Sequence, residues 1–463
     1  MIRNAIAATA LLLAIPATAP VFAQSQQERL GARYNRALAA GYKALMLCSA
    51  TANTERNAGA LTRLPESIHE WELTGIDPAL DPIIRDLPYE IVRAQDGRVN
   101  HVEVRWAPDM VPRYARHDAG EGCKALPIGS PAPAGDRWPS DSWEKPYTVM
   151  HSPFGGPLAD TGRAAFSDVY GRGARTSAVI VLVNGFTKVA DFAEDRRGEP
   201  QRTWSVAKSI AATLVGGAVY RGDIGVHASA GLGVDENDPR RTITIDQALR
   251  MASGRYSDTP GNRTDPLYWG GATVDERAQN WPLIHVPGTV YRYANNDTLA
   301  AVQAIKGTFE LHPPAAFFAR LGMHHTVAET DWQGNYVLSS QVWATAEDLA
   351  KLGQLYLDDG KLPDGTRILP EGWVKYLSTP SGPQPDGPFG YGAGFWLMNK
   401  SEGVPADTFA AFGNRGQYVV IVPSRDVVIV RRGEDPAGAS FNIAAFTRDV
   451  LAGLESEQGI GVQ

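Results

Sequence analysis

Hydrophobic positions along this chain follow two different periods, and the switch between them outlines the fold. Ala178-Val179-Ile180-Val181-Leu182-Val183 is an unbroken apolar run of strand length. It is followed by Asn184-Gly185, a strong hairpin-turn signal, so Phe186 to Phe192 is predicted as the paired strand. The pattern then becomes helical. A segment rich in Ala, Ile and Leu runs from Trp204 or Ser205 to about Tyr220, and helical patterns dominate from about Ser209 to Leu377. The clearest of these is Ala346 to Leu357. Strands return with Gly392 to Leu397, then Tyr418 to Val422 and Val427 to Val430, joined by the turn-forming Pro423-Ser424-Arg425-Asp426. A last helix is predicted over Phe441 to Leu454, where Phe441, Phe446, Val450, Leu451 and Leu454 recur near helical spacing. This order predicts an α/β (α+β) architecture: an antiparallel sheet flanked by helices, plus a helical lobe. The cleft between sheet and lobe is then the natural place for a site.

The first residues have a different character. Arg3 precedes the apolar stretch Ala5 to Ile15, which is too short to span a bilayer, and Val21-Phe22-Ala23 supplies small residues suited to cleavage. Residues 1–23 are therefore predicted to be a signal peptide with Gln24 as the mature start. No cysteine follows for lipid attachment, and no later stretch is long enough to span. The protein is expected to be exported, periplasmic or secreted, with no membrane span after signal removal. Residues 24–146 are predicted as an N-terminal extension: a helical start at Gln27 to Leu47, less regular sequence to Ala125, and a Pro/Gly-rich linker beginning at Leu126. Residues 147–463 are predicted as the catalytic domain.

Composition narrows the partners. A net charge of −7 over 463 residues, with no basic block, argues against nucleic-acid binding. The two cysteines, Cys48 and Cys123, both fall in the extension, and an exported chain permits a disulfide between them. Neither has a metal-ligand pattern beside it, and His324-His325 is too close-set for a helical chelate. No metal and no cofactor are expected.

Candidate chemistry begins at Thr203-Trp204-Ser205-Val206-Ala207-Lys208. At the start of a helix, residues three apart share a face, so the Lys208 amine can reach the Ser205 hydroxyl. The helix N-terminus favours negative charge developing on that oxygen, and a partly dry pocket makes the lysine a usable base. A second Ser-x-x-Lys, Ser142-Trp143-Glu144-Lys145, lies among Gly135, Pro139 and Pro146 with no helical run behind it, and reads as a chance match. Further on, Tyr291-Arg292-Tyr293-Ala294-Asn295 offers a phenol beside an amide, a proton shuttle and an orienting group. Gly413-Asn414-Arg415-Gly416-Gln417 leads into the Tyr418 strand. Its glycines let the backbone approach a substrate, and the Gln417 N–H can pair with that of Ser205 as an oxyanion hole. No Gly-x-Ser-x-Gly occurs, which disfavours an α/β-hydrolase triad.

These three elements, in this order, resemble the serine β-lactamase and penicillin-binding superfamily. The likeness is closer to its class C, DD-carboxypeptidase, esterase and nylon-oligomer hydrolase branch. Ile243-Thr244 through Ser253-Gly254, Pro287-Gly288 ahead of Tyr293, and Trp343 to Leu349 add to the likeness, which covers about Ala178 to Gly433. The resemblance implies Ser205 as nucleophile, Lys208 as its base and Tyr293 as proton shuttle. Asn295, Gly416 and Gln417 are implied on the substrate side, and Arg415 is a candidate there as a replacement charge, one position later than the family's lysine. The chain departs from the pattern at Asn414-Arg415-Gly416, where most β-lactamases and peptidoglycan peptidases carry Lys-Thr-Gly or His-Thr-Gly. The expectation is an exported serine hydrolase acting on a small-molecule ester or amide through an acyl-enzyme. The alternatives are a β-lactamase or D-Ala-D-Ala peptidase, or a non-catalytic binding protein on the same fold.

Overall fold

The extension is a layer of its own. In the computed structural model, which describes residues 19–55, 68, 71–134, 155–193, 196–256 and 266–460, a long helix α1 (Ala19–Glu55) packs on a four-stranded antiparallel sheet. The strands are β1 (Tyr89–Arg93), β2 (Val99–Val104), β3 (Arg113–Asp118) and β4 (Gly122–Ala125), in the order β1-β2-β3-β4. Buried Ala44, Met46, Leu47 and Ala50 of α1 share a core with Val99, Val102, Val104 and Ala115 of this sheet. That core does not stop at the extension: Trp269, Leu299 and Trp343 of the downstream chain belong to it. The predicted Cys48–Cys123 disulfide is present and ties α1 to β4. Sequence patterning read 89–125 as irregular because its strands bury polar side chains. His101, Arg113, His117 and Lys124 all occupy buried positions, which breaks the two-residue alternation that marks a strand.

The rest of the chain builds a larger sheet. It contains β5 (Thr176–Val183) and β6 (Phe186–Phe192). Three short strands, β7 (Gln201–Arg202), β8 (Val327–Ala328) and β9 (Val342–Ala344), form a small separate sheet. Then β10 (Gly390–Tyr391), β11 (Trp396–Leu397), β12 (Phe409–Gly413), β13 (Gln417–Val422) and β14 (Val427–Gly433) complete a seven-stranded sheet in the order β10-β11-β12-β13-β14-β5-β6. Every pairing is antiparallel. The predicted turn at Asn184-Gly185 joins β5 to β6, with both residues at positive φ.

The apolar run of β5 is continuous because both faces of the sheet are covered. Val179, Val181 and Val183 face one core, with Phe441, Phe446 and Val450 on or beside the final helix. Ile180 and Leu182 face the other, with α2 (Val206–Arg221) and the later helices α3 (Asn295–Ala304) and α4 (Ala346–Leu357). The final helix, α5, spans Ile443–Ile460, so it starts later and runs further than Phe441 to Leu454. The predicted strand at Gly392 to Leu397 shrinks to β11, because Gly392, Ala393 and Gly394 form a turn: the Gly392 N–H bonds the Phe395 carbonyl at 2.8 Å.

Extension and sheet domain meet at a buried carboxylate. Glu329 accepts hydrogen bonds from Ser49 Oγ (3.0 Å), Asn53 Nδ2 (3.2 Å) and the Cys123 N–H (3.1 Å) on one side. On the other it accepts from Gln341 Nε2 (3.1 Å). Burial pushes its carboxyl up to about 7 against the pull of these donors. The expected signal peptide lies mainly in residues 1–18, outside the described residues, and α1 runs through the expected cleavage point at Ala23. The linker beyond residue 134 and the second Ser-x-x-Lys, at Ser142, also lie outside them.

Candidate active site

Ser205 stands at the N-cap of α2 and Lys208 on its first turn, so the helix starts one residue after the hydroxyl. The residue before, Trp204, has φ +50°, a left-handed conformation that costs a bulky residue about 1–2 kcal/mol. Local contacts hold it there. The Thr203 N–H bonds the Val342 carbonyl at 2.8 Å, and the Arg202 guanidinium lies 3.7 Å from the centre of the Trp204 ring. Gly413, at the end of β12, packs backbone to backbone on Thr203. A Cβ at 413 would run into the Thr203 carbonyl oxygen, so only glycine lets this strand sit against the nucleophile segment.

Lys208 is fully buried and its Nζ has three neighbours: Ser205 Oγ at 3.0 Å, Asn295 Oδ1 at 2.6 Å and the Ser339 carbonyl oxygen at 2.8 Å. Two are acceptors without a hydrogen of their own. A neutral amine satisfies both with its two N–H groups and turns its lone pair to the Ser205 hydroxyl. Burial lowers Lys208 from 10.5 to about 7, so that neutral form is accessible near neutral pH. Tyr293 moves the other way. Burial pushes it up to about 12, against hydrogen bonds with the Ser205 and Trp396 side chains, and it stays a protonated donor. Its ring centre is 5.0 Å from Lys208 Nζ and 5.3 Å from the Trp396 ring.

The Tyr293 and Asn295 segment is held from behind. Thr244 caps the short helix Ile245–Leu249 through a capping box with Gln247. The same stretch then presents Met251, whose carbonyl accepts from the Arg292 N–H at 2.7 Å, and Ser253, whose hydroxyl bonds Asp297 Oδ1 at 2.6 Å. Arg255 pairs with the same carboxylate at 3.1 Å.

A cavity of about 210 Å³ opens over Ser205, with Tyr293, Asn295 and Asn414 in its wall. The extension closes part of it: Tyr42 of α1, Gly75 and Ile76 line it too, and Trp204, Tyr268 and Trp269 make much of it aromatic. Patterning missed Tyr42 and residues 75–76 because nothing in the extension's sequence signals contact with a cavity so far downstream. It also missed Ser339, which acts through its carbonyl, and Arg202.

Of the expected third-motif residues, Asn414 lines this cavity, whereas Arg415 and Gly416 line an adjoining one of about 310 Å³ and Gln417 lines neither. Arg415 is expected on the substrate side, but its guanidinium is bound to the carbonyl oxygens of Trp71 and Thr74 in the extension. Arg415 itself has a left-handed backbone, φ +56°. The Gln417 side chain is used internally. Its Oε1 accepts from Arg432 Nε at 2.6 Å and its Nε2 donates to the Gly433 carbonyl. Its backbone pairs with Gly413 at the start of β13.

Comparison with known proteins bears on the fold. The beta-lactamase family profile matches residues 164–432, more than half of the chain. Among solved structures, a candidate 6-aminohexanoate-dimer hydrolase from Bacillus anthracis superposes with TM-score 0.52 at 20% identity, over 61% of this chain and 80% of its own. A candidate beta-lactamase from Bacteroides dorei gives TM-score 0.50 at 18% identity, over 64% of this chain and 97% of its own. The octameric penicillin-binding protein homologue from Pyrococcus abyssi gives 0.50 at 15%, over 65% and 77%. At these identities the likeness is one of fold. Among curated protein sequences, none matches the chain.

Proposed function

This chain belongs to the beta-lactamase family, and from that premise we propose that it is an exported serine hydrolase that cleaves a small ester or amide through an acyl-enzyme on Ser205. The observation that carries this reading is the Lys208 amine, 3.0 Å from Ser205 Oγ with its own hydrogens committed to Asn295 and Ser339. Ser205 Oγ attacks the carbonyl carbon as its proton passes to neutral Lys208. The Tyr293 hydroxyl gives its proton to the leaving oxygen or nitrogen, and the Lys208 ammonium restores it. The backbone N–H groups of Ser205 and Gln417 hold the oxyanion, and water then releases the acyl group by the same steps reversed. Export is supported by the disulfide. Among the described residues no helix is long and apolar enough to cross a membrane.

The β-lactamase or D-Ala-D-Ala peptidase reading is weaker. Asn414 stands where such enzymes place a cation, and Arg415 is occupied by the extension. Steady-state turnover of a short-chain aryl ester beside a chromogenic cephalosporin separates the two. The proposal expects ester turnover, lost in Ser205→Ala, with little cephalosporin cleavage. The opposite preference would replace esterase or amidase chemistry by β-lactam chemistry at the same serine.

A further inference from the structure

Arg202 precedes the nucleophile by three residues and is only 2% exposed. Burying a guanidinium is costly unless its charge and its donors are answered. For most other buried arginines of the fold they are. Arg196 pairs with Glu199 and Glu434, Arg255 with Asp297, and Arg431 with Asp435. Among the described residues, Arg432 and Arg113 have no such pair: Arg432 spends its donors on Gln417 and on the carbonyls of Ala344, Gln201 and Arg202, and Arg113 donates to the carbonyls of Ala37, Trp269 and Leu126 with its Nε left over.

Arg202 differs from these in lining the cavity over Ser205. Its Nε donates to the Ser340 carbonyl at 3.3 Å and its Nη1 to the Tyr42 hydroxyl at 3.2 Å, with Met46 Sδ at 3.7 Å. Among the described residues, no carboxylate pairs with it and Nη2 has no acceptor. The ring faces of Trp204 (3.7 Å) and Tyr268 (5.1 Å) offset part of the charge. Arg202 is among the residues that line the cavity over Ser205. Glu72, the acidic group near Tyr42, is not among the residues that line it.

A buried cation with an unfilled donor, open to the cavity that holds the nucleophile, lacks an anion of substrate size. We infer that the Ser205 cavity takes a substrate carrying a carboxylate, and that Arg202 binds that carboxylate through its free Nη2 edge. This inference deepens the hydrolase reading and rests on it. A carboxylate supplies the missing counter-charge and acceptor together, and a guanidinium is the side chain that matches its geometry. The cavity volume of about 210 Å³ limits the remainder to a compact, largely apolar group against the aromatic walls.

The test uses esters that differ only in a carboxylate against a carboxamide. One pair places the group on the acyl chain (monophenyl adipate against phenyl adipamate). The other places it on the leaving group (4-carboxyphenyl acetate against 4-carbamoylphenyl acetate). In the wild-type protein kcat/KM for Ser205 acylation is expected to favour the carboxylate by about tenfold or more in one pair. Arg202→Met is expected to collapse that ratio, and Arg202→Lys to retain part of it. A purely structural Arg202, holding Trp204 in place, would lower both members of a pair equally and leave the ratio unchanged. Acylation with no carboxylate preference in either pair overturns the Arg202 inference alone, whether or not the variants fold. No acylation of Ser205 by any of the four esters overturns it together with the hydrolase reading.

Discussion

Replacing Lys208 by methionine separates what the lysine does for chemistry from what it costs the fold. Its folded value of about 7 lies below the unfolded 10.5, so between these two the unfolded chain binds more protons than the folded one. Stability therefore rises with pH across that window, and below about 7 the full penalty of burying the group is present. The gap is worth about 5 kcal/mol. Methionine removes that penalty but leaves Asn295 Oδ1 and the Ser339 carbonyl without their donor, at about 1–3 kcal/mol each. These lost bonds do not depend on pH, whereas the charge penalty does. Measured by urea unfolding, the variant's stability relative to wild type is expected to be more favourable at about pH 6.5 than at about pH 9.5, by about 3 kcal/mol. In the same samples, acylation of wild-type protein should climb through an apparent pKa near 7, falling to about a tenth one pH unit below it. Lys208→Met should lose at least about a hundredfold in acylation. A pH-independent stability difference, or acylation that rises only toward pH 10, would refute the claim that this lysine is a buried, neutral base.

Other perturbations follow from the way the extension and the sheet hold the site. Replacing Cys48 and Cys123 by alanine frees a loop of 75 residues and should lower stability by about 4 kcal/mol, read as a shift in unfolding midpoint. Because α1 carries Tyr42 to the cavity, ester KM should rise in the same variant. Arg415→Ala removes the hold on Trp71 and Thr74 and should speed proteolysis within residues 71–77, with a cost of about 1–3 kcal/mol in stability. Gly413→Val drives a side chain into the Thr203 carbonyl, displaces Ser205 and should lower kcat by about a hundredfold or more with little change in KM.

Much of the sheet domain was legible because its physics is local. The β5 run, the Asn184-Gly185 turn, the helix at Ala346–Leu357 and the terminal hairpin each carry their own pattern. So does the Ser205 and Lys208 pair, since helical spacing alone brings the two side chains together. What stayed hidden depends on partners far away in sequence. The β1–β4 sheet buries His101, Arg113, His117 and Lys124 and so lost its alternation. The Arg415 position was legible as a cation near the third motif, but its partners, the Trp71 and Thr74 carbonyls, lie 344 and 341 residues away in sequence, where no local pattern points. Ser339 enters through a backbone carbonyl, for which no residue type is diagnostic. Arg202 looked like any polar residue before a helix until its burial and its lack of a carboxylate partner were seen together.

The central claim, a covalent acyl-enzyme on Ser205, is tested most directly by intact mass with peptide mapping after mixing the protein with an activated short-chain aryl ester. The account predicts a transient mass gain of one acyl group, carried by the peptide that contains Ser205 and absent from Ser205→Ala. Ester turnover with no adduct on that peptide, or turnover that persists in Ser205→Ala, would contradict it.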